Sequence, residues 1–534
     1  MAFHSQGIYH VFDYGAWIAS DNSSTTAMAN MDTLAKCLQA AQVTGGIVEV
    51  PCVGSDNSTG NFYLQNSTMN PSGIALDTSS KSGSIFVFGY GGATTLLKQD
   101  AGDLFVLTNQ YSSTRGTNPS GMTFSDIQIQ YATTVGSGAG FNGTNADNLL
   151  LRRVFFQNCP TAVTLMNTLE ATMVSCTAEF GSAYANASGT VLILGGSGGG
   201  SSGCEQFTMD KCLLRQSVTL VSTDSILGIV IQEATHGHFS NTSINGFTTG
   251  VTFNPSAKGG GSNTHVFNNV DINLPAKSQY AVLIQPTAVG VTAPGSVQNI
   301  KFVECDFDTS SADPLAAVYI NANSPTGGTV DGVELIGCSA SGFNGPAIYL
   351  ADAVHIEVIG GIYTNNAQTG TPKGQISLLA PSGASVKKVN IVGATCTGIS
   401  GGSNQYGIVV ATGSDLVYIR DCNLGNNGSG AINFGSGLSS TATIQVTNCA
   451  GYNDQGTPVY SGVPISSAHQ SASANGYYGP SLLTCKIGSS QTIQINSQSF
   501  TPVNNAFFTI FLNSPNETIL FTTATGVTLT WRGE

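Results

Sequence analysis

Two rhythms of apolar residues divide this chain. Near its start the rhythm is helical. Met28, Met31, Leu34, Ala35, Leu38 and Ala41 or Gln42 recur at the spacing of one helix face, which predicts a helix over residues 24–43. Ser23 or Ser24 stands where a side chain caps the first turn, and Gly45-Gly46 stands where the helix ends. After the helix the period falls to two, the signature of strands with alternating faces.

The strand pattern then repeats. One six-residue segment recurs as Met122-Thr-Phe-Ser-Asp-Ile127, Ala171-Thr-Met-Val-Ser-Cys176, Phe207-Thr-Met-Asp-Lys-Cys212, Ile300-Lys-Phe-Val-Glu-Cys305, Val333-Glu-Leu-Ile-Gly-Cys338, Val417-Tyr-Ile-Arg-Asp-Cys422 and Ile444-Gln-Val-Thr-Asn-Cys449, with further members ending at Val154, Thr242, Val270, Gly361 and Ala394. The third residue is apolar in every copy and points inward. The fifth is a turn residue, and the sixth is small or β-branched. A further strand follows in each repeat, as in Ala281-Val-Leu-Ile, Ala317-Val-Tyr-Ile and Ala347-Ile-Tyr-Leu. Several strands per repeat of about 30 residues predict stacked coils, each supported by its neighbours. The expected fold is all-β: a right-handed single-stranded parallel β-helix with an N-terminal capping helix and a small C-terminal β-domain. A β-propeller ranks second, because its repeats are longer and more regular.

The expected boundaries are 1–46 for the N-terminal segment and capping helix, 47–465 for the β-helix, and 466–534 for a β-rich trimerisation or tip domain. In that last part the rhythm changes to four short strands, at Thr492-Ile-Gln-Ile-Asn, Phe507-Phe-Thr-Ile-Phe-Leu, Thr518-Ile-Leu-Phe and Val527-Thr-Leu-Thr-Trp. So small a core is marginal alone, and association is the natural remedy.

Composition narrows the function. Charged residues are 9% of the chain, against roughly 25% in ordinary domains. Hydrophobic residues still reach 41%, enough for a core. The net charge is −13, and the 17 Lys and Arg residues are scattered, which excludes nucleic acid as a partner. No stretch approaches the roughly 18 apolar residues of a membrane span, so no membrane insertion is expected. The N-terminus carries no signal-peptide pattern. Cys176, Cys212, Cys305, Cys338, Cys422 and Cys449 share the sixth column, which reads as a stack of reduced core thiols rather than disulfides. No Cys or His spacing suits a metal, and no cofactor is expected. His236 and His238 read as turn residues, and the Gly-rich run at 195–203 as a turn rather than a phosphate loop.

Phe12-Asp-Tyr-Gly-Ala, the helix ending Leu38-Gln-Ala-Ala, the run Gly45-Gly-Ile-Val-Glu-Val-Pro51 and the segment Phe88-Gly-Tyr-Gly-Gly-Ala-Thr-Thr-Leu-Leu-Lys98 resemble the opening of the pectate-lyase-3-like β-helix proteins, which include many bacteriophage tailspikes. The match covers roughly residues 11–140. Pro51-Cys-Val-Gly-Ser-Asp departs from it, where the family has a shorter Gly turn before Tyr63. The resemblance implies a homotrimer on a phage virion, held through its first 10 or so residues or through a virion tail adaptor, and facing bacterial surface polysaccharide. It does not fix the chemistry, since the fold hosts hydrolases, lyases, epimerases and inert shafts.

Candidate chemistry follows from stacking. Equivalent residues of neighbouring coils lie about 4.8 Å apart. The residue after the turn points outward and reads Asp271, then Asp306; Asp308 lies one pleat on. Glycosidases work with two carboxyl groups at about this separation, so these three are the catalytic candidates. Tyr319 and Tyr349 occupy matching outward positions and are candidates for binding a sugar face. The column Lys301, Glu334, Glu357 reads as a salt ladder. The column Val303, Ile336, Ile359, Val392 is apolar and outward, which calls for a partner subunit. Three readings stand: an endoglycosidase acting on surface polysaccharide, which is favoured; a non-enzymatic receptor-binding or structural fibre; and a polysaccharide lyase, which the sparse Lys and Arg disfavour.

Overall fold

A computed structural model of the chain describes residues 7–450, apart from 78–82, 109–120, 145, 197–202, 256–260, 287–294, 310, 312, 323–327, 368–373, 399–404, 436–437, 440–441 and 448. The four C-terminal strands expected beyond residue 490 lie outside the described residues. The chain divides into two units, the first running to Asp306 and the second starting at Phe307, with residues 326–329 counted to the first.

The first unit opens with a strand, Gly7–His10, that pairs with Gly46–Glu49 on the far side of the helix. The helix runs Ser24–Thr44, one residue past the sequence expectation, and the Ser23 hydroxyl accepts from the Thr26 amide at 3.3 Å. Met31, Leu34, Ala35, Leu38, Ala41 and Gln42 are buried as expected, while Met28 is only half-buried and Ala27 takes the core position.

Beyond the helix most coils contribute three strands, paired in parallel with the coils before and after. One coil of the first unit is Gly261–Asn268, Asp271–Leu274 and Tyr280–Ile284. The inward third residues stack in register. Met209 pairs with Phe239 and Phe239 with Phe267, and the last two rings lie parallel with centroids 4.3 Å apart. In the second unit the same column runs Leu335, Val358, Ile391, Ile419 and Val446. This is the parallel β-helix that the repeat pattern predicts.

The fifth-position turn is the most regular feature of the backbone. Asp126, Arg153, Ser175, Lys211, Asn241, Asn269 and Glu304 in the first unit, and Gly337, Gly360, Gly393 and Asp421 in the second, all have φ between 49° and 67°. Only glycine enters this left-handed region freely; other residues carry a cost of roughly 1–2 kcal/mol. What offsets it is continuity of the hydrogen-bond ladder. The Asn241 amide donates to Asn268 O at 3.1 Å, Asn269 to Val303 O at 2.9 Å, and Gly360 to Val392 O at 2.7 Å. Side chains join in: Asn269 Nδ2 donates to Asn241 Oδ1 at 3.0 Å, and Asn241 Nδ2 to Asp210 Oδ1 at 2.9 Å. A second left-handed column, absent from the sequence expectation, kinks the first strand of each coil at Asn148, Glu170, Gln206, His236, Thr264 and Asn299, and in the second unit at Gly332, His355, Lys388 and Leu416.

The sixth-position thiols follow from the turn. Cys176, Cys212, Cys305, Cys338 and Cys422 are buried and free, whereas Cys449, in the last described coil, is only half-buried. Several swing back toward the preceding coil: Cys176 Sγ donates to Leu151 O at 3.4 Å, Cys305 to Phe267 O at 3.4 Å, and Cys422 to Ile391 O at 3.6 Å. Elsewhere in the core, burial pushes the Cys204 thiol up to about 12.

One core position is not apolar. His265 is fully buried; its Nδ1 accepts from the Gly237 amide at 3.1 Å, and Nε2 lies 3.0 Å from Ala234 O, so the neutral ring with its proton on Nε2 satisfies both. Burial holds its pKa down to about 4.

Two predictions follow from these backbone and core features. A Cβ added at Gly360 would meet no atom within 4 Å, so its φ of +65° alone sets the cost of a side chain there. Gly360→Val is expected to lose about 1–2 kcal/mol of stability in denaturant titration, with the fold retained. His265 binds a proton more readily when unfolded (near 6.5) than when folded (about 4). Its contribution is therefore full above pH 6.5 and lost as pH falls toward 4, by about 3 kcal/mol in all. His265→Gln, which keeps a donor and an acceptor, should flatten this part of the stability-versus-pH curve.

Candidate functional site

The second strand of each coil is short, and its middle residue faces the core. Phe156, Ala178, Leu214, Ile244 and Ile272 are all buried. The flanking residues therefore face outward, in two rows. The sequence reading found the first row where it becomes acidic. Asp271 opens the strand Asp271–Leu274 and is exposed; it is in register with Ser243 of the coil below. The Asp271 amide donates to Thr242 O at 3.0 Å, and the Asp306 amide donates to Val270 O at 3.0 Å. The repeated bond places Asp306 one rung beyond Asp271, about 4.8 Å along the stack. Asp306 is exposed as well.

Ser243 ties the row together. Its hydroxyl donates to Asp271 Oδ2 at 3.1 Å and accepts from Asn245 Nδ2 at 2.9 Å. Asp308 follows Asp306 two residues on and is half-buried. Its Oδ1 accepts from the Thr309 amide and from Ser341 Oγ, each at 2.8 Å. Those bonds brace the strand end, a role that separates Asp308 from the two exposed carboxylates.

The other outward row was missed by the sequence reading. It runs Gln157, Glu179, Arg215, Asn245 and Asn273 through successive registers. Arg215 Nη2 donates to Glu179 Oε2 at 2.8 Å, and Gln128 Nε2 donates to Gln157 Oε1 at 2.9 Å. Five rungs at about 4.8 Å make a strip about 19 Å long, every position of which carries hydrogen-bonding groups. The signal was present: Thr177-Ala-Glu, Leu213-Leu-Arg, Ser243-Ile-Asn and Asp271-Ile-Asn share an apolar centre and a polar third residue.

Tyr319 and Tyr349 do stack in register, with ring centroids 5.1 Å apart and planes at 48°. Both are half-buried, burial raises both phenols, and Asn321 Nδ2 donates to Tyr319 Oη at 3.0 Å. They stand on the third strand of their coils, whereas the aspartates stand on the second. The next partner of Tyr349 is Ser377, which is fully buried, so the tyrosine column closes after two rings.

The remaining candidates are placed as follows. Glu334 and Glu357 sit on neighbouring rungs, so the expected salt ladder is a like-charge pair at this point. His236 occupies the left-handed kink, and His238 is the exposed first residue of the strand His238–Ser240. Gly195 is a left-handed turn residue, and 197–202 lie outside the described residues. Among the described residues no three His, Cys, Asp or Glu side chains converge to hold a metal, and no helix is long and apolar enough to cross a membrane.

No family model matches the chain, and no curated protein matches its sequence. Solved structures do match its fold. Tailspike protein 3 of bacteriophage CBA120 aligns with a TM-score of 0.55 at 13% identity, over 83% of this chain and 62% of that one. The tailspike protein of E. coli bacteriophage HK620, solved as a double mutant in complex with a pentasaccharide, aligns with a TM-score of 0.55 at 12% identity, over 84% of this chain and 79% of that one. The chain thus spans less than two thirds of the CBA120 protein. At these identities the likeness is one of fold: this is a parallel β-helix of the kind found in phage tailspikes.

Proposed function

We propose that this chain is a phage tailspike that binds bacterial surface polysaccharide along the outward rows of the second strand and hydrolyses it there. The observation that carries the reading is the pair of exposed carboxylates, Asp271 and Asp306, one rung apart beside a strip of Ser, Asn, Arg and Glu side chains. The shared fold of a tailspike solved with a bound pentasaccharide supports the ligand class.

In this mechanism the sugar chain lies along the strip and takes hydrogen bonds from Arg215, Asn245 and Asn273. Asp271, which accepts the Ser243 hydroxyl, attacks the anomeric carbon or activates water, and Asp306 takes the role of the general acid that donates to the departing glycosidic oxygen. In the second unit, Asp308 offers a braced carboxylate, and Tyr319 with Tyr349 offers rings to a sugar face.

The assembly is a homotrimer attached to the virion through a tail adaptor. Its support is the outward apolar column. Ile336, Ile359 and Val392 stack in register in the second unit, and Ile359 is 37% exposed. Ile362 and Tyr418 beside it are exposed too. Such a strip is normally covered by a partner.

Asp306→Asn should lower the release of reducing ends from host polysaccharide by about a hundredfold or more and leave polysaccharide binding intact. Normal cleavage by that variant would reduce the patch to a charged surface. An unsaturated, ultraviolet-absorbing product would move the chemistry to a lyase, and binding without any cleavage would leave an adhesive fibre. Sedimentation should find a trimer, weakened by Ile359→Glu and by removal of 482–534; a stable full-length monomer would defeat the assembly.

A further inference from the structure

A second surface of the first unit has the chemistry of a saccharide site, and it lies on the first strand of the coils nearest the helix, away from the second-strand rows. Phe86, Phe88 and Tyr90 alternate outward on the single strand Ile85–Lys98, at pleat intervals of about 7 Å. Phe86 and Phe88 are stacked at 5.9 Å with planes 19° apart, and Phe88 and Tyr90 follow at 6.2 Å. Phe86 is 39% exposed and Tyr90 50%. On the rungs below, Glu49 is in register with Phe88, and His10 with Glu49.

The carboxylate is fixed from both sides. His10 Nδ1 lies 2.7 Å from Glu49 Oε2, and the Tyr90 hydroxyl donates to Glu49 Oε1. Tyr90 is itself held, because its amide donates to Thr94 Oγ1 at 3.0 Å across a tight turn. His10 is stacked on Phe12 at 5.8 Å. The result is a rigid aromatic strip with an oriented acceptor at its edge.

We infer that this strip binds a pyranose ring of a saccharide. One face of a pyranose is a sheet of C–H groups that packs on aromatic rings, while its rim carries hydroxyl donors at the same height. Glu49 keeps unused lone pairs for those donors, since an ionised carboxylate accepts about four hydrogen bonds and here receives two. A purely apolar occupant would cover the rings at the cost of stripping water from Glu49 with nothing in return. The inference shares with the proposed function only the class of ligand and does not depend on hydrolysis.

The test uses the full chain and saturation-transfer NMR with the neutral disaccharides maltose, cellobiose and lactose at millimolar concentration. At least one should receive saturation from the protein. Phe86→Ala and Tyr90→Ala should each weaken its binding by about tenfold. Tyr90→Phe, which keeps the ring and frees Glu49, should weaken it less than Tyr90→Ala. No transfer to any of the three sugars, or binding that both alanine variants leave unchanged while circular dichroism stays native, would overturn the site. A change of oligomeric state in Phe86→Ser would assign the strip to a contact between copies and would also overturn it. Transfer without release of reducing ends from polysaccharide would keep this site and remove the hydrolytic reading; release without transfer would do the reverse.

Discussion

The recurring left-handed turn at the fifth position is the constraint on which the rest of each coil depends. A single residue near φ = +55° redirects the chain between the first and second strands. Because it recurs at the same place in coil after coil, the turn amide finds the same carbonyl on the next rung. A turn of any other shape would interrupt the ladder and leave buried amides without partners. The conformational cost at Arg153 or Lys211 is thus set against a hydrogen bond that only this geometry supplies. Once the turn is fixed, the third residue must face the core, the sixth must be small enough to fit behind the turn, and the residue after it must face water.

That division of labour explains where chemistry can reside. Inward columns are held by packing, as in the stacked rings of Phe239, Phe267 and Phe302. Outward positions on the second strand are relieved of that demand, and in the first unit all but Phe155 and Leu213 carry groups that donate or accept hydrogen bonds. The backbone repeats at about 4.8 Å, so outward carboxyl groups on adjacent coils start close to the roughly 5 Å separation that retaining glycosidases use. Asp271 and Asp306 stand one rung apart without any special loop. The aromatic strip at Phe86, Phe88 and Tyr90 applies the complementary rule, with alternation along one strand rather than stacking between strands.

Much of this was legible in the sequence because the period of two and the repeat of the turn are local signals. The inward column from Phe124 to Ile419, the turn column and the thiol column from Cys176 to Cys422 took their expected places, while Cys449 stayed half-buried, and the helix ended within one residue of expectation. What was not legible was which strand of the coil an outward residue occupies. Tyr319 and Asp308 both read as outward, yet a corner of variable length separates their strands, and periodicity carries no information across such a corner. The Glu179, Arg215, Asn245 and Asn273 row is harder to see because a carboxylate, a guanidinium and two amides share its position, with only the apolar residue before them in common. His265 escaped for a different reason: an imidazole in an apolar column is tolerated only through two backbone hydrogen bonds, which no sequence pattern announces.

The central claim is that the second-strand face of the first unit is where polysaccharide is held and cut. A structure of the full chain bearing Asp306→Asn, determined with oligosaccharide from its host polysaccharide, tests it most directly. The account predicts a sugar chain lying along Arg215, Asn245 and Asn273, with one glycosidic oxygen between residues 271 and 306. Sugar bound elsewhere on the chain, with this face bare, would contradict it.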